Sequence, residues 1–219
     1  MCAVCLSAQD NQELIAPPEG LTAEQVIANY IKARGGRENL AKIKDIYTEM
    51  EVSTKQGNVL VIIAEKAPDK KAIIQKSDEL IIARQVFSST KLILNEEVLT
   101  SGERFENAKH AGLMHPELDY KKHGYALKLL GQRNLDGRPV YVVEVTKPSG
   151  EKETHSYEVS TGLLVQLEDP IGGTQQFSSY LSVDGVRFPY LVTIVSPSKL
   201  AFRVKTVKVN QGVEDTFFE

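Results

Sequence analysis

Cysteine is almost absent from this chain of 219 residues, and its two cysteines, Cys2 and Cys5, lie at the very start. A C-x-x-C pair that binds zinc or carries out redox chemistry needs a second ligand pair or a following helix, and this pair has neither. The apolar opening, followed by Ser7 and Ala8 and then by polar residues, is more typical of a secretory signal peptide. We therefore predict that residues 1–8 are a signal-peptide remnant and that the mature protein is exported, to the periplasm or to its membrane face.

The chain also lacks a cluster of basic residues. It carries 26 Lys and Arg against 29 Asp and Glu, for a formal net charge of -3, and the basic residues are scattered. Nucleic-acid binding needs a basic face, and electrostatic attraction to a membrane needs a polybasic patch. Both classes are therefore disfavoured. With 42% hydrophobic residues, the chain has enough apolar material for a substantial core.

Motifs for catalysis are missing as well. The sequence contains neither a G-x-S-x-G nucleophile motif nor an H-x-x-E-H zinc motif. The pair Gly172-Gly173 lies between predicted strands and does not precede a helix, so it predicts a turn and not a phosphate-binding loop. These absences favour a protein that is not an enzyme and that uses no cofactor.

The histidines give no clear metal site. Three of the four lie within fourteen residues, beside two acidic residues: His110, His115, His123, Glu117 and Asp119. A metal site needs ligands directed at one point, and Pro116 bends the chain within this stretch. We predict no metal site. The remaining histidine, His155, stands between two polar residues in a predicted strand, and we expect it at the surface.

Two amphipathic helices are predicted near the N-terminus. After a polar linker over residues 9–20, Thr22 and Gln25 form a capping box, and apolar residues then recur at helical spacing through residue 34. Gly35-Gly36 ends this helix, and a second short helix is predicted over 37–44. Each helix has one apolar face, so each must pack against an apolar surface.

From Asp45 onward the hydrophobic period changes from helical to two, which predicts strands. About a dozen short strands follow, separated by turn residues, and Asp184-Gly185 has the chemistry of a tight hairpin turn. Pro189 then suggests an edge position or a bend. Thr100 and Glu103 resemble a second capping box, which predicts a helix to about residue 111. The fold predicted is mainly β (α+β): a strongly curved antiparallel sheet forming an unclosed half-barrel, with an N-terminal and a mid-chain helix as lid.

Several patterns, in this order, resemble the LolA/LolB-like lipoprotein-sorting superfamily, and more closely its periplasmic domains in Bacteroidota. The resemblance covers residues 21–219, which we take as one domain. It rests on L-T-A-E-Q-V-I-A-N-Y-I-K-A-R-G-G at 21–36, K-I-K-D-I at 42–46, P-E-L at 116–118, Leu130-Gly131, Asp136-Gly137, Tyr157 before T-G-L at 161–163, and the hairpin Y-L-S-V-D-G-V-R-F-P at 180–189.

The resemblance implies an unclosed barrel with helices over an apolar cavity, in which true carriers shield the acyl chains of lipoproteins. Similar domains also occur attached to exported insulinase-like zinc peptidases. Two functions therefore stay open. The first is a periplasmic binding domain for a lipid or a lipoprotein acyl chain. The second is an interaction or accessory module of such a peptidase or of an envelope complex. A continuous cavity would favour the first, and a solid core the second.

Candidate cavity residues follow from strand alternation and helix faces. A shift of one residue in a strand would turn its whole set to the other face. The candidates are Val26, Tyr30, Met50, Val52, Ile62, Ile82, Leu94, Phe105, Leu113, Val143 and Phe177.

Overall fold

Strands make up most of the chain that the structure, a computed structural model, describes: residues 13–195 and 199–219. The predicted signal-peptide remnant and the two cysteines lie outside these residues. The helices are α1 Ala23–Arg34, α2 Arg37–Ala41 and α3 Glu103–Ala108, with 3-10 helices at Pro116–Leu118 and Asp215–Phe218. The strands are β1 Asp45–Thr54, β2 Gly57–Lys66, β3 Lys70–Ser77, β4 Leu80–Phe87, β5 Leu92–Leu94, β6 Glu97–Leu99, β7 Ala126–Leu135, β8 Arg138–Thr146, β9 Lys152–Glu158, β10 Leu164–Glu168, β11 Thr174–Val183, β12 Val186–Val195 and β13 Lys199–Val209.

All thirteen strands form one antiparallel sheet in the order β6-β5-β4-β3-β2-β1-β13-β12-β11-β10-β9-β8-β7. Strand β13 returns beside β1 and so joins the two meanders, β1 to β6 and β7 to β13. The end strands β6 and β7 do not pair with each other, so the sheet stays open. The predicted class, a mainly β unclosed half-barrel with helices, is confirmed.

The sheet curves around one of its faces. Five strands separate β4 from β11, which would place these two strands about 29 Å apart in a flat sheet. Residues of both strands nevertheless line one groove, together with the strands between them. Met50 of β1 points into this concave face, and Phe188 of β12 contributes both to the groove and to the core beneath α1. Helix α1 and the groove therefore share the concave face.

Helix α1 begins and ends as predicted. The Gln25 backbone N–H donates to the Thr22 hydroxyl at 3.2 Å, and the Thr22 N–H donates to the Gln25 side chain at 2.9 Å. At the other end, a Cβ on Gly35 would lie 2.3 Å from the Gly185 carbonyl oxygen. Glycine at position 35 therefore allows α1 to contact the β11–β12 turn directly.

The predicted start of the mid-chain helix is wrong. Helix α3 starts after Gly102, which provides no side-chain cap, and it ends at Ala108. Thr100 lies too far upstream to cap it, and the chain turns at residues 109–112. The second helix, α2, likewise ends at Ala41, three residues earlier than predicted.

The hairpin at 180–190 has the predicted turn, because Asp184 and Gly185 have φ values of 48° and 78°. Pro189 lies in a strand that is inside the sheet. It nevertheless breaks no hydrogen bond to β13, since that ladder begins only at Leu191. The helices in the part of the chain that the structure describes are all too short or too polar to span a membrane.

The two faces of the sheet are covered by different segments. On the concave side, α1 and α2 bury their apolar faces against β8, β9 and β12 in the largest core cluster. On the convex side, Val213 and Phe218 cover Ala64 and Ala72. A residue of the predicted linker also contacts the sheet, because Ile15 and Gln132 exchange two backbone hydrogen bonds of 2.9 Å.

Candidate ligand-binding groove

A groove of about 570 Å³ runs across the concave face, between β1 to β4 on one side and β11 to β13 on the other. Its apolar lining is half-buried where it faces the opening, as at Ile63, Ile73 and Phe202, and buried at its floor, as at Met50 and Val61. Apolar side chains held partly exposed in a concavity can gain further burial by binding an apolar molecule.

The groove lies beside α1 and not beneath it. Val26 and Tyr30 of α1 are 2% and 8% exposed and pack directly on Val143 and Tyr157 of the sheet. The contact surface between α1 and the sheet is therefore a packed core. Two further hollows adjoin α1, one of about 610 Å³ next to residues 157–162 and one of about 640 Å³ next to residues 117–127. The groove with the larger apolar lining thus lies at the side of the helix, whereas the expected cavity was one between α1 and the sheet.

The structure brings together two of the eleven predicted cavity residues in the groove lining, Met50 and Phe177. Val52 is buried on the same face of β1 as Met50. Val26, Tyr30 and Val143 belong to the core under α1. Phe105 is buried and Leu94 and Leu113 are half-buried, all outside the groove lining. The remaining two candidates, Ile62 and Ile82, also lie outside the groove lining.

Ile62 lies on the convex face, because it is Val61 and Ile63 that line the groove. Residues 59–64 are all apolar, so period-two alternation cannot assign them to a face. Both faces of β2 are in fact covered, one by groove and core residues and the other by the C-terminal segment. Ile82 is 48% exposed. It lies at a register shift between β3 and β4, where Lys76 pairs with Ile81.

A buried ionic network, which the sequence analysis missed, joins α1 to the crossover that leads from β6 to β7. Arg34 at the end of α1 donates to the Tyr30 hydroxyl at 3.0 Å, and its Nη1 lies 3.8 Å from Oε1 of Glu117. Nδ1 of His115 lies 3.4 Å from the same carboxylate oxygen. The Arg34 guanidinium also lies 5.4 Å from the centre of the Phe188 ring. These contacts position the crossover over the concave face next to the groove.

The charge states of Glu117 and Tyr30 follow from their burial and from their partners in this network. Burial alone would raise the pKa of the Glu117 carboxyl, but the hydrogen bond and charge of His115 and the charge of Arg34 outweigh it and lower that pKa. Burial raises the pKa of the Tyr30 hydroxyl. Glu117 is therefore an ionised acceptor and Tyr30 a neutral hydroxyl at neutral pH.

The expectation that His155 lies at the surface is wrong, because this residue is buried and only 6% exposed. It lies on the concave side of β9, where it pairs with Val143, while its polar neighbours in sequence face the other way. Its Nδ1 is 3.1 Å from the Tyr157 hydroxyl and its Nε2 is 3.1 Å from Glu153. Lys147 lies 2.6 Å from Glu153. Polar partners thus make the burial of His155 tolerable.

No cluster suited to a metal ion occurs within residues 13–195 and 199–219: three or more His, Cys, Asp or Glu side chains do not converge there. His115 contacts Glu117, as described above, while His110 and His123 are not part of that network.

Three solved structures resemble this fold over nearly their whole length. A DUF1329 family protein from Desulfovibrio piger superposes with a TM-score of 0.59 at 14% identity, covering 90% of this chain and 97% of the other. A putative outer membrane lipoprotein-sorting protein domain from Vibrio parahaemolyticus gives 0.57 at 15% identity, covering 90% and 95%. The LolA superfamily protein NE2245 from Nitrosomonas europaea gives 0.58 at 10% identity, covering 91% and 98%.

The chain therefore has a LolA/LolB-like fold, as its sequence patterns indicate. No protein-family model matches the sequence, and neither does any curated protein.

Proposed function

We propose that this chain is a non-enzymatic binding domain that holds an apolar ligand, a lipid or the acyl chain of a lipoprotein, in the concave groove. The observation that carries the proposal is the groove itself, with its volume of about 570 Å³ and its aliphatic and aromatic lining. This volume lies within the range of small-molecule sites. Each acyl methylene removed from water contributes about 0.8 kcal/mol, so such a groove can bind lipid with few polar contacts.

We further propose that the protein acts in the periplasm. The apolar opening of the sequence supports export. The fold shared with a putative outer membrane lipoprotein-sorting domain is in keeping with that location.

The proposal can be tested with N-phenyl-1-naphthylamine, a neutral apolar dye that fluoresces when it leaves water. We expect saturable binding to the wild-type protein. Ile73→Asp places a charge in the groove lining and should weaken binding tenfold or more, since an unpaired charge is costly in an apolar site. Ile82→Asp is the matched control, because Ile82 is exposed and outside the groove, and it should bind the dye like the wild type.

A second function has an observation in its favour. Large apolar residues are exposed on the rim of the sheet, with Leu80 70% exposed at the start of β4 and Ile171 92% exposed in the β10–β11 turn. An interaction module, for example an accessory domain of an exported insulinase-like peptidase or of an envelope complex, would use such residues to bind its partner. If the wild type neither binds the dye nor gains thermal stability from any lipid, the lipid-binding function is refuted and this second function takes its place.

A further inference from the structure

One flank of the groove carries uncharged hydrogen-bonding side chains. Gln75 of β3 and Gln85 of β4 line the groove together with apolar residues, and both are half-buried. Gln85 pairs with Ile73, so Gln75 is its diagonal neighbour across the two strands, at a spacing of about 7 Å. The two amides therefore form one uncharged polar patch on a flank that also carries the paired side chains of Glu65 and Lys71.

Other glutamines of the sheet bond to one another. On the opposite face, the Gln176 side chain donates to that of Gln166 at 3.3 Å, and Gln166 in turn donates to Glu168. Among the described residues we find no hydrogen-bond partner for the side chains of Gln75 and Gln85. Each amide offers two donor hydrogens and an acceptor oxygen. The patch is therefore free to bond a polar group of a ligand.

The groove lining carries no net charge. Among the residues that the structure describes, its only charged ones are Glu65 and Lys71, which face each other across β2 and β3 and form an ion pair of 3.4 Å. Arg34 is outside the groove lining; it lies over the Phe188 ring and is paired with Glu117. An anionic head group would therefore enter a site in which the one lining cation already has a partner, and it would lose water without gaining a free counter-charge.

We propose that the groove selects amphiphiles with an uncharged, hydrogen-bonding head, such as a glycerol ester or an amide, over amphiphiles with an ionised head. This inference rests on the proposed function and specifies its ligand class. The head group bonds the amides of Gln75 and Gln85. The apolar chain lies against the opposite wall, where Phe177 and Phe202 are half-buried.

Displacement of bound N-phenyl-1-naphthylamine by 1-monopalmitoylglycerol and by palmitate tests the inference. The two lipids have the same acyl chain and differ in head group, and mildly alkaline pH with concentrations below micelle formation keeps palmitate ionised and monomeric. We expect the wild type to prefer the glycerol ester by about tenfold, which is the contribution of about one net hydrogen bond. Gln75→Leu with Gln85→Leu, which nearly preserves side-chain size, should abolish the preference without abolishing dye binding. Gln56→Leu, in the exposed β1–β2 turn, is the control and should keep it.

Equal displacement by the two lipids in the wild type would overturn the selectivity while leaving lipid binding intact. A preference that persists in the double variant would also overturn it, because the amides would then not be its cause. Failure of the wild type to bind dye or either lipid would refute the proposed function together with this inference. If the double variant does not fold, the wild type alone still shows whether the two lipids displace the dye equally and whether the protein binds dye or lipid at all.

Discussion

The contact between Arg34 and Glu117 should make a large contribution to stability, and Arg34→Met tests its size. The two side chains are 11% and 9% exposed, so the pair is almost fully removed from water. Methionine preserves the apolar contacts of the Arg34 stem but leaves the Glu117 carboxylate with His115 alone. Removing one partner of a buried ion pair typically costs about 3–5 kcal/mol, because the other charge is left uncompensated. We therefore expect the free energy of unfolding to fall by about 3 kcal/mol or more.

Urea denaturation of four proteins measures this effect: the wild type, Arg34→Met, Glu117→Leu and the double variant. The double variant removes both charges of the Arg34–Glu117 pair, so its loss should be smaller than the sum of the single losses by at least about 1.5 kcal/mol. Arg104→Met is the control, since its ion pair with Glu97 is exposed by half or more and should contribute at most about 1 kcal/mol. The reasoning is refuted if Arg34→Met costs no more than Arg104→Met, or if the single losses simply add.

Three further predictions concern the fold. Ile27→Asp puts a charge into the core under α1 and should lower the free energy of unfolding by about 2 kcal/mol or more, whereas Lys32→Ala on the exposed face should change it by at most about 0.5 kcal/mol, both measured in urea. The pKa of Glu117 is lower in the folded state than its ordinary value of 4.5, so its ionisation stabilises the fold at any pH above 4.5. This stabilisation is lost as the pH falls below 4.5 and through the lowered pKa. Melting curves of Glu117→Gln should therefore depend less on pH in that acidic range than those of the wild type. Gly112→Ala should lower the melting temperature, because its Cβ would lie 2.2 Å from the Asp69 carbonyl oxygen, while Ala111→Ser at an exposed site should not.

Elements defined by local chemistry could be predicted from the sequence. The capping box of Thr22 and Gln25 and the positive φ angles at Asp184-Gly185 need only neighbouring residues, and both are present in the structure. Thr100 and Glu103 match the pattern of a capping box, but the helix starts at Glu103 and its N-cap is Gly102. A short motif alone cannot show whether the residues between its members adopt helical geometry.

The position of the groove could not be predicted, because it depends on the curvature of the sheet and on which half α1 fills. Met50 was assigned to the concave face through the clear alternation of β1, and it does line the groove. The uniformly apolar β2 gave no such signal for Ile62. The partnership of Arg34 with Glu117 was equally hidden, since it joins residues far apart in the chain whose types alone indicate solvent exposure.

Native mass spectrometry of the purified protein after incubation with bacterial envelope lipids tests the central claim most directly. The account predicts that the wild type and Ile82→Asp gain the mass of one lipid molecule. It also predicts that Ile73→Asp, with a charge in the groove, remains at its unliganded mass. A wild type that stays unliganded, or an Ile73→Asp variant that retains lipid as well as the wild type, would contradict the claim that this groove is a lipid-binding site.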